Sequence, residues 1–258
     1  AGLKSVSESV INPLHYWDVN VCGTNILLEV MNKYKCYSIV FSSSATIYGL
    51  PETVPIKEDH NVSPVNPYGN CKLAIEKMLK DLYKSNKNLW RISCLRYFNP
   101  VGAHPSGLIG EDPMGIPNNL FPYITQVAVG RRSFLNIFGD DWETEDGFGV
   151  RDYIHIMDLS EGHISAIEFL LSKESCLEYI NLGSGKGYSV IEIIDEFSLC
   201  TGVKIPFKIK SRREGDIAKC YADISKARKL LNWSPKRSLK DICIDGWNWQ
   251  RMNPNGYI

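Results

Sequence analysis

The chain has 258 residues, 44% of them hydrophobic and 22% charged, enough to bury a core and to build one large domain or two modest ones. Lysine plus arginine and aspartate plus glutamate both total 29, so there is no field of one sign to gather nucleic acid or an anionic membrane, although a local basic site stays open. The eight cysteines lie far apart without a C-x-x-C pair, which argues against zinc or a redox dithiol and for free thiols in a reducing compartment.

No apolar run reaches the roughly 18 to 20 residues that span a bilayer, and no signal-peptide pattern is present. The expectation is a cytoplasmic protein with no metal, no nucleic-acid partner and no membrane partner. The chain opens on "AGLKSVSESV", without an initiator methionine and within what reads as a loop, as a piece of something longer would.

Apolar residues recur at helical spacing over 14–34, and "YSIVFSS" over 37–43 follows as a short β-rich run of the kind buried in a parallel sheet. A second helix is predicted over 68–86 and a second strand over 90–97. Helix, strand, helix, strand at these lengths predicts parallel βα units, the later half of a doubly wound sheet. Residues 99–119 form a Gly-, Pro- and Asn-rich loop, too long for a simple connection and therefore functional or interdomain. Beyond it, strands in "FLNIFG", "EYINLGS" and "PFKIKS" alternate with helices over 157–171, 190–200 and 238–252, a smaller α/β region. The fold class is thus α/β. Residues 1–99 are expected to belong to the sheet domain and 100–258 to the second domain, with a segment near 151–172 packing back on the first.

Within "YGNCK", Tyr68 and Lys72 lie four residues apart and share one face of the helix. A phenol ordinarily ionises near pH 10, and an adjacent ammonium favours the phenolate, which makes a usable proton acceptor near neutrality. The pattern alone is weak, since Tyr83 and Lys87 repeat it in what reads as a solvated helix tail. The serines of "FSSSATIYG" sharpen it. Ser42, Ser43 and Ser44 close a strand of a parallel sheet, whose ligands bind beyond the carboxyl ends of its strands.

These residues, with "AGLK", "PYGNCK", "LRYFNPVGAHPSGLIGEDP", "IFGDD", "TEDGFGVRDYIHIMDL", "NLGSG" and "RREGD", resemble the UDP-glucose 4-epimerase family of the extended short-chain dehydrogenase/reductase superfamily. The resemblance implies a Rossmann-type sheet, tightly bound NAD, a UDP-sugar substrate and a homodimer. It assigns Tyr68 as the base for the sugar 4-hydroxyl and Ser44 as the hydroxyl that positions the 4-oxygen. Lys72 lowers the tyrosine pKa and holds the nicotinamide ribose. Tyr97 lies near the nicotinamide, and Lys4 contacts NAD. Asn99, Asn119, Arg151 and Arg213 hold the nucleotide sugar, the two arginines through its diphosphate, for which a planar guanidinium fork is suited.

Cys220 stands where the family varies a residue beside the sugar 2-substituent. Either this small side chain admits N-acetylated UDP-sugars, or it is a buried thiol without effect on choice. The family's Gly-rich dinucleotide turn does not open this chain, so a preceding segment of about 80 residues, two or three βα units, is expected. "NLGSGKG" matches a structural turn of the family's second domain. Related dehydratases and decarboxylases use the same Tyr and Lys but carry acidic or further hydroxyl residues after the strand-end serine. Here Ala45 and Thr46 follow, with no carboxylate. A non-catalytic nucleotide-sugar-binding module is the reading from another class.

Overall fold

The computed structural model describes residues 2–213 and 215–257. Its helices begin earlier than the apolar pattern predicts. The Ser5 hydroxyl accepts the Glu8 N–H and caps α1 (Val6–Ile11), Pro13 sits in the first turn of α2 (Pro13–Tyr16), and a π-helical stretch (Trp17–Cys22) leads into α3 (Gly23–Lys33). The expected helix over 14–34 is therefore met by an unbroken helical run over 13–33 that widens to a π-helix in its middle. Pro13 opens this run, where no N–H is required, and the wider π turn shifts the apolar face between its two neighbours.

β1 (Ser38–Ser44) runs into a 3-10 turn (Ala45–Tyr48), and α4 (Pro67–Ser85) precedes β2 (Arg91–Tyr97). Asn66 caps α4 by accepting the Gly69 N–H, with Pro67 in the first turn, where no N–H is required. There follow β3 (Asn99–Val101), α5 (Leu120–Ala128), β4 (Leu135–Phe138), β5 (Val150–Arg151), β6 (Tyr153–His155) and α6 (Ile156–Leu171). The chain then forms β7 (Cys176–Leu182), β8 (Tyr188–Ser189), α7 (Val190–Thr201), β9 (Phe207–Lys210), β10 (Lys219–Cys220), α8 (Ser225–Leu231) and α9 (Leu239–Met252). β3 opens the expected 99–119 loop. α5 escaped the pattern because Pro122 falls inside it, in a first turn where its missing N–H costs nothing.

The chain forms two compact units. The first takes the chain up to Tyr97 with Gly162–Leu182 and Asp223–Trp233; the second takes Phe98–Glu161, Gly183–Ala222 and the chain from Ser234 onward. In the first, β1, β2 and β7 make a parallel sheet in that order, with Ser44 level with Tyr97 and Tyr97 level with Leu182. Leu28, Ile75, Leu79, Trp90, Ile92 and Cys94 bury its core, each large apolar side chain contributing roughly 1.5–3 kcal/mol. In the second, β10, β5 and β8 form one small sheet, β3 pairs with β6, and β4 pairs with β9. Phe121, Ile124, Ile193, Phe197 and Ile242 are among the side chains at its centre.

Candidate active site

The parallel register decides what meets at the end of β1. Ser44 is its last residue, and its side chain caps the 3-10 turn, accepting from Thr46 N at 3.2 Å and from Thr46 Oγ1 at 3.0 Å. A hydroxyl has two acceptor lone pairs and one proton. Both pairs are taken by Thr46, and Ser44 lies close enough to the Tyr68 side chain to act on its phenol. Tyr68 lies in the first turn of α4, anchored by its own N–H to Ser9 Oγ at 3.1 Å. Gly69 permits the approach: a Cβ there would stand 2.8 Å from Pro64 Cβ and 3.1 Å from Thr46 O.

Burial pushes the Tyr68 phenol up from its ordinary value, and the Ser44 hydrogen bond pulls it back. Lys72 Nζ donates to Ser42 O at 2.8 Å and lies 5.6 Å from the centroid of the Tyr68 ring, so its charge is first engaged by a carbonyl. Burial also lowers the Lys72 ammonium to about 8. Tyr97 donates its hydroxyl to Ser42 Oγ at 2.8 Å and meets His163 Nε2, and burial, with Tyr68 adding, raises it to about 12. Ser44, Tyr68, Lys72 and Tyr97 thus gather around the ends of β1 and β2. Lys4 is exposed on the extended segment before α1.

In the second unit, Cys220 pairs with Arg151 across β10 and β5, and the Asn99 N–H donates to Asp152 O at 3.0 Å. Arg151 Nη1 donates to Val150 O at 2.9 Å. The Cys220 thiol is pushed up to about 11 by burial. Asn119 is exposed at the start of α5. Arg213 is exposed, its fork set on Asp216 at 2.9 and 3.3 Å and its guanidinium 4.5 Å from the Phe138 ring centroid. The amides of the "NLGSG" turn do not face open space. Asp152 Oδ1 accepts Ser184 N at 2.6 Å and Ser184 Oγ at 2.7 Å, while Oδ2 accepts Gly185 N and Ala222 N, each at 3.1 Å. A carboxylate of the chain itself occupies the place a phosphate would need there.

Glu76, Arg96, Tyr48 and Asp152 escaped the sequence reading. For Glu76 a signal existed: it continues the four-residue stripe of Tyr68 and Lys72. Among the described residues no group of His, Cys, Asp and Glu could hold a metal ion, and no helix is long and apolar enough to cross a membrane.

Comparison with known proteins gives this geometry its kin. The family model described as GDP-mannose 4,6 dehydratase matches residues 1–245. A UDP-glucose 4-epimerase of Bacillus subtilis is 54% identical over 257 residues, covering 100% of this chain and 75% of the relative. The crystal structure of a UDP-glucose 4-epimerase from Stenotrophomonas maltophila, with bound NAD and formylated UDP-arabinopyranose, superposes with a TM-score of 0.96 at 47% identity, covering 98% of this chain and 75% of that one. That of the Bifidobacterium longum enzyme, in complex with NAD+ and UDP, gives 0.94 at 49% identity over 100% of this chain and 76% of its own. Matched along its whole length at this similarity, the chain belongs to the UDP-glucose 4-epimerase family of extended short-chain dehydrogenases/reductases.

Proposed function

We propose that this chain interconverts UDP-galactose and UDP-glucose by reversible oxidation at sugar C4, with NAD as its cofactor. The observation that carries the reading is the convergence of Ser44, Tyr68 and Lys72 at the carboxyl end of a parallel strand. The donor set fits a nicotinamide ribose: Lys72 has three N–H donors, of which the Ser42 carbonyl takes one, beside the hydroxyls of Ser42 and Tyr97. NAD, when bound, supplies the acceptor and donor of the hydride.

The chain's own residues do the rest. Tyr68 as phenolate takes the proton of the 4-hydroxyl and returns it when the sugar is reduced on its other face. The Ser44 hydroxyl holds the 4-oxygen, and a protonated Lys72 favours the phenolate. Lys4, Lys72 and Tyr97 serve NAD in the first unit. Asn99 and Asn119 hold the nucleotide sugar in the second, where Arg151 and Arg213 pair with its diphosphate, Arg213 exchanging Asp216 for phosphate oxygens. Ala45 and Thr46 supply no carboxylate for further proton transfers, which favours epimerisation over dehydration or decarboxylation.

The protein would serve galactose metabolism in the cytoplasm as a homodimer. The exposure of Ile11 (77%), Leu14 (83%) and Ile26 (60%) supports self-association, and sedimentation at micromolar concentration tests it. A second reading concerns substrate range: the half-buried Cys220, level with Arg151, supports acceptance of UDP-N-acetylgalactosamine and UDP-N-acetylglucosamine. Conversion of the N-acetylated sugar by the wild type and its loss in Cys220→Tyr are expected.

The test of the main reading is conversion of UDP-galactose to UDP-glucose, followed by chromatography with NAD bound. The wild type should convert, and Tyr68→Phe should lose about 100- to 10,000-fold in kcat while keeping sugar binding. Near-normal turnover in Tyr68→Phe would sink the assignment of the base. No conversion by the NAD-loaded wild type would sink the epimerase.

A further inference from the structure

Tyr68, Lys72 and Glu76 recur at four-residue intervals along α4 and share one of its faces. The first two belong to the site just described. The third is a carboxylate whose side chain is only 3% exposed, facing an Arg96 side chain that is 5% exposed. Glu76 Oε1 accepts Ser43 Oγ at 2.6 Å and Arg96 Nε at 3.1 Å, and Oε2 accepts Arg96 Nη2 at 2.8 Å. Arg96 Nη1 donates to the Tyr48 hydroxyl at 2.9 Å and to Glu58 O at 3.0 Å, and the Tyr48 hydroxyl donates to Asn181 Oδ1 at 2.7 Å.

Ser43 immediately precedes Ser44, and Tyr48 ends the turn that Ser44 caps. Both ends of the segment carrying Ser44 are therefore tied to one ion pair, and the carboxylate of that pair sits on the helix that carries Tyr68. Stability is a poor account of such a pair, because desolvation offsets most of its attraction, and apolar residues of similar volume often serve as well. Geometry is a better one. A fork held at two oxygens tolerates little sliding or rotation of α4 past β1, and an error of about 1 Å in a reacting group costs on the order of 100-fold in rate.

We propose that Glu76, held by Arg96 and Ser43, is a positioning residue that fixes α4 against the Ser44 turn and thereby sets where Tyr68 stands relative to Ser44. The proposal rests on the epimerase reading for its consequence in turnover, so the test includes a readout that needs none.

Two variants of the full chain with NAD bound make the test. Glu76→Met with Arg96→Met removes the pair without leaving a buried charge unpartnered, and Ser43→Ala keeps the pair but cuts its link to the strand. Each is measured for melting temperature, for kcat and KM with UDP-galactose, and for the Tyr68 titration midpoint, read by near-ultraviolet difference absorbance against the same variant carrying Tyr68→Phe. The expected result is a melting temperature close to that of the wild type, kcat lower by about 10- to 100-fold, KM within about threefold and a midpoint moved upward as Ser44 loses its aim. Wild-type kcat and midpoint in either folded variant would overturn the proposal. A wild type without turnover, with a midpoint that still shifts in the variants, would overturn the epimerase reading and leave the positioning role standing.

Discussion

Asp152→Asn probes the second unit at its most heavily bonded carboxylate. Asp152 is fully buried, and its two oxygens accept four donors: Ser184 N and Oγ on Oδ1, Gly185 N and Ala222 N on Oδ2. An asparagine keeps one acceptor oxygen and puts an NH2 where the other was. With the NH2 facing Gly185 and Ala222, two backbone N–H groups lose their acceptor. With the NH2 facing Ser184, only one does, because the serine hydroxyl can turn and accept. The second orientation is the cheaper, at about 1–3 kcal/mol for one orphaned buried N–H. Weaker neutral acceptance at the remaining oxygen adds to this, while relief of a buried charge, whose desolvation raises the Asp152 pKa, subtracts. The balance is a loss of about 2 kcal/mol, or roughly 4–8 °C in melting temperature for a chain of this size. Circular dichroism melts at pH 7 measure it. A melting temperature within about 1 °C of the wild type would refute the reasoning, since it would mean that the "NLGSG" turn is not held by this carboxylate.

Two further predictions concern the first unit. Gly69→Ala forces a methyl against Pro64 Cβ and Thr46 O, so α4 must move away from the Ser44 turn; kcat should fall at least about 10-fold with KM little changed, and an unaltered kcat would show the contact to be soft. Lys72 is lowered by burial from its ordinary 10.5 to about 8, so below pH 8 its charged form opposes folding, and that opposition fades as pH rises from about 8 to 10.5. In the absence of NAD, Lys72→Met should therefore be more stable than the wild type by up to about 3 kcal/mol at pH 7, with the gap closing by pH 10. Urea unfolding at the two pH values decides it, and a gap independent of pH would rule out the depressed ammonium.

The parts legible in the sequence were those with a period. β1 and α4 announced themselves through an apolar run and a four-residue stripe, and Tyr68, Lys72 and Ser44 could be placed on them before any contact was known. Elements without a period were lost: β5 and β10 are two residues long, too short to alternate, and Pro122 hides α5 although it stands where a helix can spare an N–H. The β2–β7 pairing was beyond reach for another reason. It joins Tyr97 to Leu182 across 85 residues, and nothing local to either strand names its partner.

The site divides in the same way, between spacing and environment. Helical spacing places Lys72 beside Tyr68, but whether that ammonium pulls on the phenol depends on what else it touches, and Ser42 O lies 2.8 Å away. Ser44 also lowers the phenol, from the end of the strand, and Thr46, two residues on, fills both of its lone pairs. In the sequence Thr46 shows only that no carboxylate follows the strand. Its hydroxyl and N–H matter because a 3-10 turn folds them back onto Ser44, and that turn is closed by Tyr48 against Arg96. The turn that Ser44 caps is thus held by a guanidinium that arrives from β2, 52 residues further along the chain.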